Sequence, residues 1–324
     1  MSQAETILEI KDLCVEFQTV EGTVHAVDHL NYTLHKGEKL GIVGESGSGK
    51  SVSSLGMMQL IPNPPGRITG GEILYHGKDL VKASEKEMQK IRGNEISMTS
   101  LNPIIKCGKQ IAESLRLHRG MKKKEAMEEA VRMMWAVGIA NPEVRAHEYP
   151  HQMSGGMRQR VMIAMALACQ PQILIADEPT TALDVTIQAQ ILDLIRELNE
   201  SMGTSVVFIT HDLGVVSELC DTVIVMYTGH IVEQAPVKEL FESPKHPYTK
   251  GLLNAIPKIT RERNPLETIE GMVPNPTERI EGCSFSPRCP YATDQCRKAE
   301  PPMAELSDGR LVRCWQYAKE NEEA

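Results

Sequence analysis

The chain has few aromatic residues and no excess of positive charge. Phe, Trp and Tyr make up 4% of the 324 residues, too few for the stacking platforms that hold single-stranded nucleic acids. Acidic residues outnumber basic ones by 43 to 35, which gives a formal net charge of −8 at pH 7. A nucleic-acid partner is not favoured, because such proteins carry a basic footprint. An anionic ligand would have to be held by local geometry.

Long hydrophobic runs are also lacking. The longest apolar segments, such as residues 206–209, are strand-sized and fall well short of the roughly 18 residues of a membrane span. The first six residues lack the basic start and apolar stretch of a signal peptide. We therefore expect a cytosolic protein, in which the eight cysteines are thiols or metal ligands and not disulfides. Four of them are scattered and are predicted to be small buried hydrophobes: Cys14, Cys107, Cys169 and Cys220.

A glycine-rich segment at residues 44–51 fits the pattern G-x-x-x-x-G-K-[ST]. Its residues are Gly44, Glu45, Ser46, Gly47, Ser48, Gly49, Lys50 and Ser51. The run Lys39–Val43 before it suits a buried strand, and residues 52–60 after it predict a helix that ends before a proline. Such a turn aims backbone N–H groups at one point, while Lys50 reaches the β- and γ-phosphates and Ser51 can bind Mg²⁺. The segment predicts a nucleoside triphosphate site.

A second helix start with anion-binding character lies near the middle of the chain. Ser154, Gly155 and Gly156 open a predicted helix that runs to about residue 169. A hydroxyl and bare backbone at a helix N-terminus can bind an anion. One subunit cannot place both helix starts on the same phosphate.

Acidic residues and a histidine follow predicted strands in the second half. Residues 172–176 form a buried strand that ends in Asp177 and Glu178, Asp184 comes shortly after, and His211 follows the next predicted strand. Because α/β proteins place ligands at the carboxyl ends of parallel strands, Asp177 can hold Mg²⁺ there, opposite Ser51. Glu178 can then polarise an attacking water.

In this order, the segments resemble the ATPase subunits of ABC transporters: Walker A, signature, Walker B, D-loop and switch histidine. The resemblance covers residues 7 to about 235. It implies an α/β fold, with a P-loop ATPase core on a parallel sheet, an N-terminal antiparallel β portion and a helical subdomain near residues 95–160. We predict that residues 1–235 form this nucleotide-binding domain and that residues 236–324 form a cysteine-bearing C-terminal extension.

The resemblance also implies a role for individual residues. Glu178 is the catalytic carboxylate, His211 contacts the γ-phosphate and orients the water, and Ser51 with Asp177 holds Mg²⁺ beside ATP. Phe17 stacks on the adenine, although an ordinary core phenylalanine explains it nearly as well. The signature at residues 154–156 closes over ATP bound to a partner ATPase, head to tail, and Asp184 lies at that interface.

One expected element is missing from the sequence. Related ATPases carry a glutamine loop before the helical subdomain, but here residues 96–98 run directly into Thr99. About six residues are absent by comparison with that pattern, and Gln110 lies too far along the chain to replace the glutamine. Either coupling to the membrane subunits is impaired, or the printed sequence omits a segment. The intact state of the other motifs favours the second explanation.

The C-terminal part narrows the resemblance. Residues 240–253 resemble the extension of ATPases that serve oligopeptide and dipeptide importers, a group that includes nickel importers. Four cysteines then gather within the last 42 residues: Cys283, Cys289, Cys296 and Cys314. Four thiolates can hold a [4Fe–4S] cluster or Zn²⁺, and zinc sites usually pair cysteines two to four residues apart, unlike these. The resemblance implies the cluster; zinc and unliganded thiols are the alternatives.

We therefore hypothesise an ATPase that powers import of di- or oligopeptides from the cytoplasmic face of the membrane. Its implied partners are a second homologous ATPase, in a heterodimer, two transmembrane permeases, and an extracytoplasmic peptide-binding protein that acts through them. The alternatives are an importer of nickel or modified peptides, a soluble ABC ATPase acting on ribosomes or DNA, and a regulatory module that no longer turns over ATP.

Overall fold

The computed structural model of the chain describes residues 5–181, 183–256, 268–278 and 280–318. These residues fall into two compact units. The first unit consists mainly of Lys82–Ile209, with the short segment His35–Glu38. The second consists of Thr6–Leu34, Lys39–Val81 and the residues from Thr210 onward. No helix within the described ranges is long and apolar enough to cross a membrane.

The described residues form twelve strands and eleven α-helices. The strands are β1 (Thr6–Thr19), β2 (Gly22–His35), β3 (Lys39–Val43), β4 (Gly66–Tyr75), β5 (Lys78–Asp79), β6 (Ile96–Met98), β7 (Ile173–Asp177), β8 (Ser205–Thr210), β9 (Thr222–Tyr227), β10 (His230–Pro236), β11 (Ala304–Glu305) and β12 (Leu311–Val312). The helices are α1 (Lys50–Met57), α2 (Glu85–Ile91), α3 (Cys107–Arg119), α4 (Lys123–Ala136), α5 (Pro142–Arg145), α6 (Gly155–Leu167), α7 (Val185–Met202), α8 (Leu213–Leu219), α9 (Val237–Glu242), α10 (Pro247–Asn254) and α11 (Asp294–Lys298).

The first unit is built on three parallel strands in the order β8-β7-β6. Ile173 pairs with Ser205 on one side and Ile96 on the other. The apolar residues of β7 and β8 are buried, as expected for parallel strands covered on both faces. Asn199 on α7 donates hydrogen bonds to the carbonyls of Gly37 at 3.0 Å and Thr204 at 2.6 Å. The unit therefore buries β7 along residues 173–176 and leaves Asp177, at its end, only partly buried.

The second unit contains strands of both orientations. One sheet has the order β2-β1-β4-β5, and β1 is antiparallel to β4. In a second group β3 is parallel to β9, while β10 is antiparallel to both β9 and β12. β12 lies near the C-terminus, so this part of the chain contributes an edge to the same unit that carries β3.

The structure gives bounds to the predicted elements. The N-terminal β portion consists of two long strands, β1 and β2, separated only by a turn at residues 20–21. In the helical subdomain, α3 ends at Gly120, whose φ of +66° caps the helix in the left-handed region, and α4 follows. The helix after the glycine-rich loop ends at Met57, earlier than predicted. Strand β8 lies where a strand was predicted before His211.

Candidate functional site

The glycine-rich loop joins β3 to α1 as predicted, and its glycines are required by close backbone contacts. Gly44 has φ +153° and Gly49 has φ +96°. A Cβ at Gly44 would lie 2.2 Å from the Met226 carbonyl oxygen, and one at Gly49 would lie 2.2 Å from that of Ala26. No side chain fits at either position without backbone movement. Helix α1 then begins at Lys50.

The Lys50 side chain lies along the loop that precedes it. Its ammonium donates hydrogen bonds to the carbonyls of Gly44 at 2.8 Å and Glu45 at 2.9 Å, and the residue is 6% exposed. Ser51 follows in the first turn of the same helix. The loop and helix start thus bring a cation, a hydroxyl and backbone N–H groups to one place, which is a phosphate-binding arrangement.

A cavity of about 570 Å³ opens beside this loop, within the second unit. The loop residues Ser46, Gly47 and Gly49 line it, and so does Phe17, the predicted adenine-stacking residue. Residues from the C-terminal segment also line it, including Pro274, Asn275 and Glu278. The sequence did not indicate that the C-terminal segment reaches this cavity.

The two acidic residues after β7 lie in the first unit, as predicted from the strand pattern. Asp177 is the last residue of β7, and Glu178 follows it with φ +49°. The Glu178 N–H donates to the carbonyl of Ile209 at 2.9 Å, and its carboxylate accepts a short hydrogen bond from the Thr181 hydroxyl. A non-glycine residue in the left-handed region is held there by such contacts and is common at functional sites.

His211 lies in the second unit, directly after β8, and is exposed. The next residue, Asp212, caps α8: its carboxylate accepts from the Gly214 N–H at 2.8 Å. This cap fixes the chain direction immediately after the histidine. Asp177 and Glu178 belong to one unit, and His211 and the glycine-rich loop belong to the other.

The segment at residues 153–160 starts α6 as predicted. The Ser154 hydroxyl accepts a hydrogen bond from the Met157 N–H at 3.3 Å, which is an N-cap. A Cβ at Gly156 would lie 2.6 Å from Cγ2 of Ile187, so α6 and α7 approach closely at this point. Met153 is buried beneath the cap.

Asp184 has a local structural role that the sequence analysis did not include. It is the N-cap of α7, and its carboxylate accepts from the Ile187 N–H at 2.9 Å. The neighbouring Ala182 of the predicted D-loop lies outside the described residues. Asp184 itself is exposed.

The side-chain amide of Gln110 holds the loop that follows β6, near the place where the glutamine loop of related ATPases was expected. Its amide donates to the carbonyls of Asn102 at 2.9 Å and Ile105 at 2.8 Å, and its carbonyl accepts from the Asn102 N–H at 2.8 Å. The residue is 6% exposed. These contacts agree with the sequence-based conclusion that Gln110 does not take over the missing role.

The four C-terminal cysteines converge on one cavity of about 240 Å³ in the second unit. The cavity is lined by the side chains of Cys283, Cys289, Cys296 and Cys314. Burial raises the pKa of the Cys283 thiol to about 11, and it raises the pKa values of Cys289 and Cys314 in the same direction. Cysteines spread over 32 residues of sequence thus line the same cavity.

Two residues of the C-terminal segment contact the glycine-rich loop and were not predicted. Arg288 donates to the two carboxylate oxygens of Glu45, from Nη1 at 2.7 Å and from Nη2 at 3.2 Å. The hydroxyl of Tyr248 accepts a hydrogen bond from the Glu45 N–H at 2.9 Å. Partners 243 and 203 residues apart leave no local pattern from which these contacts could have been found.

Cys14 differs from its prediction as a buried small hydrophobe, whereas Cys107, Cys169 and Cys220 are buried as expected. Cys14 is only partly buried, its sulfur lies 4.0 Å from Oδ1 of Asp28, and it accepts from the His29 N–H at 3.4 Å. Burial and the nearby carboxylates raise the pKa of its thiol, despite that hydrogen bond.

Comparison with known protein families gives two matches on this chain. The family described as ABC transporter matches residues 27–181. The family described as the oligopeptide/dipeptide transporter C-terminal region matches residues 232–296. The second match contains three of the four C-terminal cysteines.

Curated relatives match almost the whole chain. The chain is 50% identical to a probable peptide ABC transporter ATP-binding protein of Sinorhizobium fredii, over 97% of this chain and 96% of that one. It is also 50% identical to the oligopeptide transport ATP-binding protein AppD of Bacillus subtilis, over 98% and 99%. For the oligopeptide transport ATP-binding protein OppD of Salmonella typhimurium, the identity is 49% over 98% and 96%.

Solved structures resemble the larger part of the chain. A dimeric post-hydrolysis state of an ATP-binding cassette with bound ADP and Pi matches with a TM-score of 0.65 and 29% identity. The match covers 71% of this chain and 99% of that one. The predicted fold class, an α/β P-loop cassette with an antiparallel portion, is therefore confirmed.

Proposed function

Because this chain belongs to the ATP-hydrolysing subunits of the ABC transporter family, we propose that it powers the uptake of oligopeptides or dipeptides. One observation carries the proposal: identities of 49–50% to peptide-transport ATP-binding proteins extend over at least 97% of the chain. The match to the oligopeptide/dipeptide transporter C-terminal region supports the same class of cargo.

On this proposal, the glycine-rich loop binds the triphosphate of ATP. Lys50 turns from the loop carbonyls toward the β- and γ-phosphates, while the loop N–H groups donate to the phosphate oxygens. Phe17 covers the adenine at the cavity wall. Ser51 and Asp177 offer the oxygen donors that Mg²⁺ prefers, and the ion would neutralise developing phosphate charge.

Glu178 and His211 act on the water that attacks the γ-phosphorus. As the new P–O bond forms and the bond to ADP breaks, the water proton moves to the Glu178 carboxylate. The φ of +49° at Glu178 and the hydrogen bond from Thr181 fix the position of that carboxylate. His211 orients the water from the end of β8.

We further propose that the complete ATP site needs a second, homologous ATPase subunit. The α6 helix start at residues 154–156 faces the ATP of that partner, and Asp184 lies at the interface. The dimeric cassette with bound ADP and Pi supports this arrangement. Two membrane permeases and an extracytoplasmic peptide-binding protein complete the transporter, which places the chain at the cytoplasmic face of the membrane.

Peptide uptake in a strain that lacks the gene tests this function. The wild-type chain should restore uptake of a labelled tripeptide, whereas Glu178→Gln should lower turnover about 10²- to 10⁴-fold, as loss of a general base does. Purified Glu178→Gln protein should still bind Mg-ATP, which serves as its folding control. Restoration of nickel uptake without peptide uptake would overturn the cargo, and full activity of Glu178→Gln would overturn its role.

We also propose that the four C-terminal cysteines hold a [4Fe–4S] cluster. Their convergence on one cavity fits four-thiolate ligation. Among the described residues, no three of these four sulfurs all lie within 4.8 Å of one another. Tetrahedral zinc, with Zn–S of about 2.3 Å, would place them about 3.8 Å apart. A [4Fe–4S] cluster is larger than a single zinc ion and does not need sulfurs that close, and it would cross-link a segment with little core of its own.

Metal analysis of protein purified without oxygen tests the cluster. We expect a brown protein with iron and sulfide in equal amounts, and loss of both together with a lower unfolding temperature in Cys296→Ser. Cys169→Ser is the matched control, because that cysteine is buried elsewhere. A colourless protein with one zinc would contradict the cluster. A protein without any metal would contradict both the cluster and the zinc alternative.

A further inference from the structure

The C-terminal segment holds one residue of the phosphate-binding loop from two directions. The Glu45 carboxylate receives both terminal nitrogens of Arg288, at 2.7 and 3.2 Å, and the Glu45 backbone N–H donates to Tyr248 at 2.9 Å. Paired bonds between a guanidinium and a carboxylate fix orientation as well as distance. Both the backbone and the side chain of Glu45 are therefore set by residues that follow position 236.

The ion pair is shielded from solvent on the arginine side. The Arg288 side chain is 5% exposed, against 30% for that of Glu45. Its guanidinium also lies 5.9 Å from the ring centroid of Tyr227, in a cation–π arrangement, and Nε donates to the Glu270 carbonyl at 3.2 Å. An arginine with this many partners has one available position, so it can serve as a rigid support for the loop.

A packed aromatic cluster connects this support to the four-cysteine cavity. The rings of Tyr227 and Tyr248 are 4.7 Å apart, and that of Phe285 lies 5.2 Å from the first and 5.4 Å from the second. Phe285 also lines the cysteine cavity. Arg288 itself immediately precedes Cys289. The cavity, the cluster and the ion pair form one continuous body in the second unit.

The negative charge of Glu45 lies close to the proposed phosphate-binding lysine. Its carbonyl accepts from Lys50 at 2.9 Å, so the carboxylate lies on the residue that borders the phosphate-binding lysine. An unpaired carboxylate there would repel the triphosphate and would leave the loop free to move. Pairing with Arg288 removes both effects, because the charge is neutralised and the side chain is anchored.

We propose that Arg288 is a positioning residue for ATP: through Glu45 it fixes the phosphate-binding loop, so that ATP affinity depends on the fold of the cysteine-bearing segment. The inference rests on the proposed ATP-dependent function of this site. It assigns to the C-terminal segment a contribution to nucleotide binding in addition to any contact with transporter partners.

Calorimetric titration of the full-length chain with Mg-ATP tests the proposal. Arg288→Met should raise the Kd about tenfold or more, the effect expected for a lost charge-assisted hydrogen bond. Arg310→Met is the matched control, because Arg310 is 7% exposed and also pairs with a carboxylate, that of Asp308, away from the loop. It should leave the Kd within about twofold, since no charge-assisted bond at the loop is lost.

Two further variants separate positioning from general support. Glu45→Gln should weaken ATP binding less than Arg288→Met, and the double variant should resemble Glu45→Gln alone, because the repelling charge is gone. Arg288→Lys should recover part of the affinity. If Arg288→Met does not fold, the variants Glu45→Gln and Arg288→Lys and their double variant test the same question. Their effects on the Kd for Mg-ATP should not be additive.

An unchanged Kd for Arg288→Met, an equal loss in Arg310→Met, or strictly additive effects of the Glu45 and Arg288 substitutions would overturn the inference. Wild-type protein that fails to bind Mg-ATP would instead overturn the proposed function. In the assembled transporter, the Arg288 effect should appear as a raised KM for ATP with kcat nearly unchanged. A loss confined to kcat would also contradict a positioning role.

Discussion

Two helix starts, those of α1 and α6, contain glycines and are suited to binding anions. The structural reason for glycine differs between the two. At Gly44 and Gly49 a side chain would strike a backbone carbonyl 2.2 Å away. At Gly156 it would strike the Ile187 side chain at 2.6 Å, and Ile187 follows 31 residues later in the chain. One helix start is determined by backbone conformation and the other by helix packing.

The two helix starts also differ in what supports them. The α6 start is capped by its own Ser154 and packed against α7, the next helix of its unit. The α1 start depends on Arg288 and Tyr248, which lie in the last third of the chain. A motif that is local in sequence can therefore depend for its geometry on distant residues. The following experiments test that difference.

The largest effect is expected at Gly49. Gly49→Ala adds a Cβ against the Ala26 carbonyl at φ +96°, so binding of Mg-ATP should fall about hundredfold, combining a left-handed conformation that costs 1–2 kcal/mol with a backbone clash. Gly47→Ala is the matched control, because it has φ +81° but nothing within 4 Å. Equal losses in the two variants would show that glycine is required only for its backbone conformation and not for close approach to the Ala26 carbonyl.

At the other helix start, Gly156→Ala should lower the free energy of unfolding by about 1–3 kcal/mol, the usual effect of overpacking. Chemical denaturation measures it. Gly155→Ala should be milder, because the nearest atom to its Cβ would be the Leu183 Cδ2 at 3.2 Å, the end of a flexible side chain. Adding Ile187→Ala to Gly156→Ala should be less damaging than the sum of the two changes. Strict additivity would exclude the packing explanation.

Acid should weaken the support of the α1 loop through His246. This residue is 2% exposed, it caps α10 by accepting from the Tyr248 N–H at 3.1 Å, and burial lowers its pKa to about 3. Because the folded pKa lies below the unfolded value near 6.5, the stabilisation is fully present above pH 6.5 and is lost as the pH falls toward 3. Between pH 6.5 and 5 the loss should be about 2 kcal/mol.

Urea denaturation at the two pH values measures this loss. His246→Asn keeps a side chain that can cap α10 but does not ionise, so its unfolding free energy should change less over the same interval. A wild-type protein with the same pH dependence as His246→Asn would show that another group is responsible.

The smallest effect is expected for Tyr248→Phe. The change removes the hydroxyl that accepts from Glu45, and a hydrogen bond of this kind contributes about 0.5–1.5 kcal/mol. The Kd for Mg-ATP should rise a few-fold in calorimetry. Tyr291→Phe is the control, since Tyr291 lies in the same segment but is 58% exposed. If both changes are neutral, Arg288 alone supports Glu45.

Local sequence patterns were easier to interpret than the long-range contacts around them. The glycine spacing and the acidic pair at residues 177–178 are local patterns with a direct chemical meaning, and β7, which precedes the pair, is a continuous apolar run. The strands around residue 12 were harder, because Asp12 and His29 have φ of +53° and +50° and interrupt the regular alternation without ending β1 or β2.

The contacts of the C-terminal segment could not be predicted, for a physical reason. Arg288 meets Glu45, and Phe285 meets Tyr227 and Tyr248, across more than 30 residues of chain in every case. Hydrophobic periodicity reports which face of an element is buried but not which distant element covers it. Nothing in the sequence around Arg288 points to Glu45, and only the fold identifies its partner.

The position of Arg288 has a consequence for the order in which this protein becomes competent during synthesis. The ribosome adds Glu45 to the chain 243 residues before Arg288, so the nascent chain contains the complete nucleotide-binding loop long before its support. Tight nucleotide binding would therefore begin only once the segment that carries Arg288 has emerged and folded. A chain truncated before Arg288 would hold ATP loosely, so ATP affinity during synthesis would report whether that segment has folded.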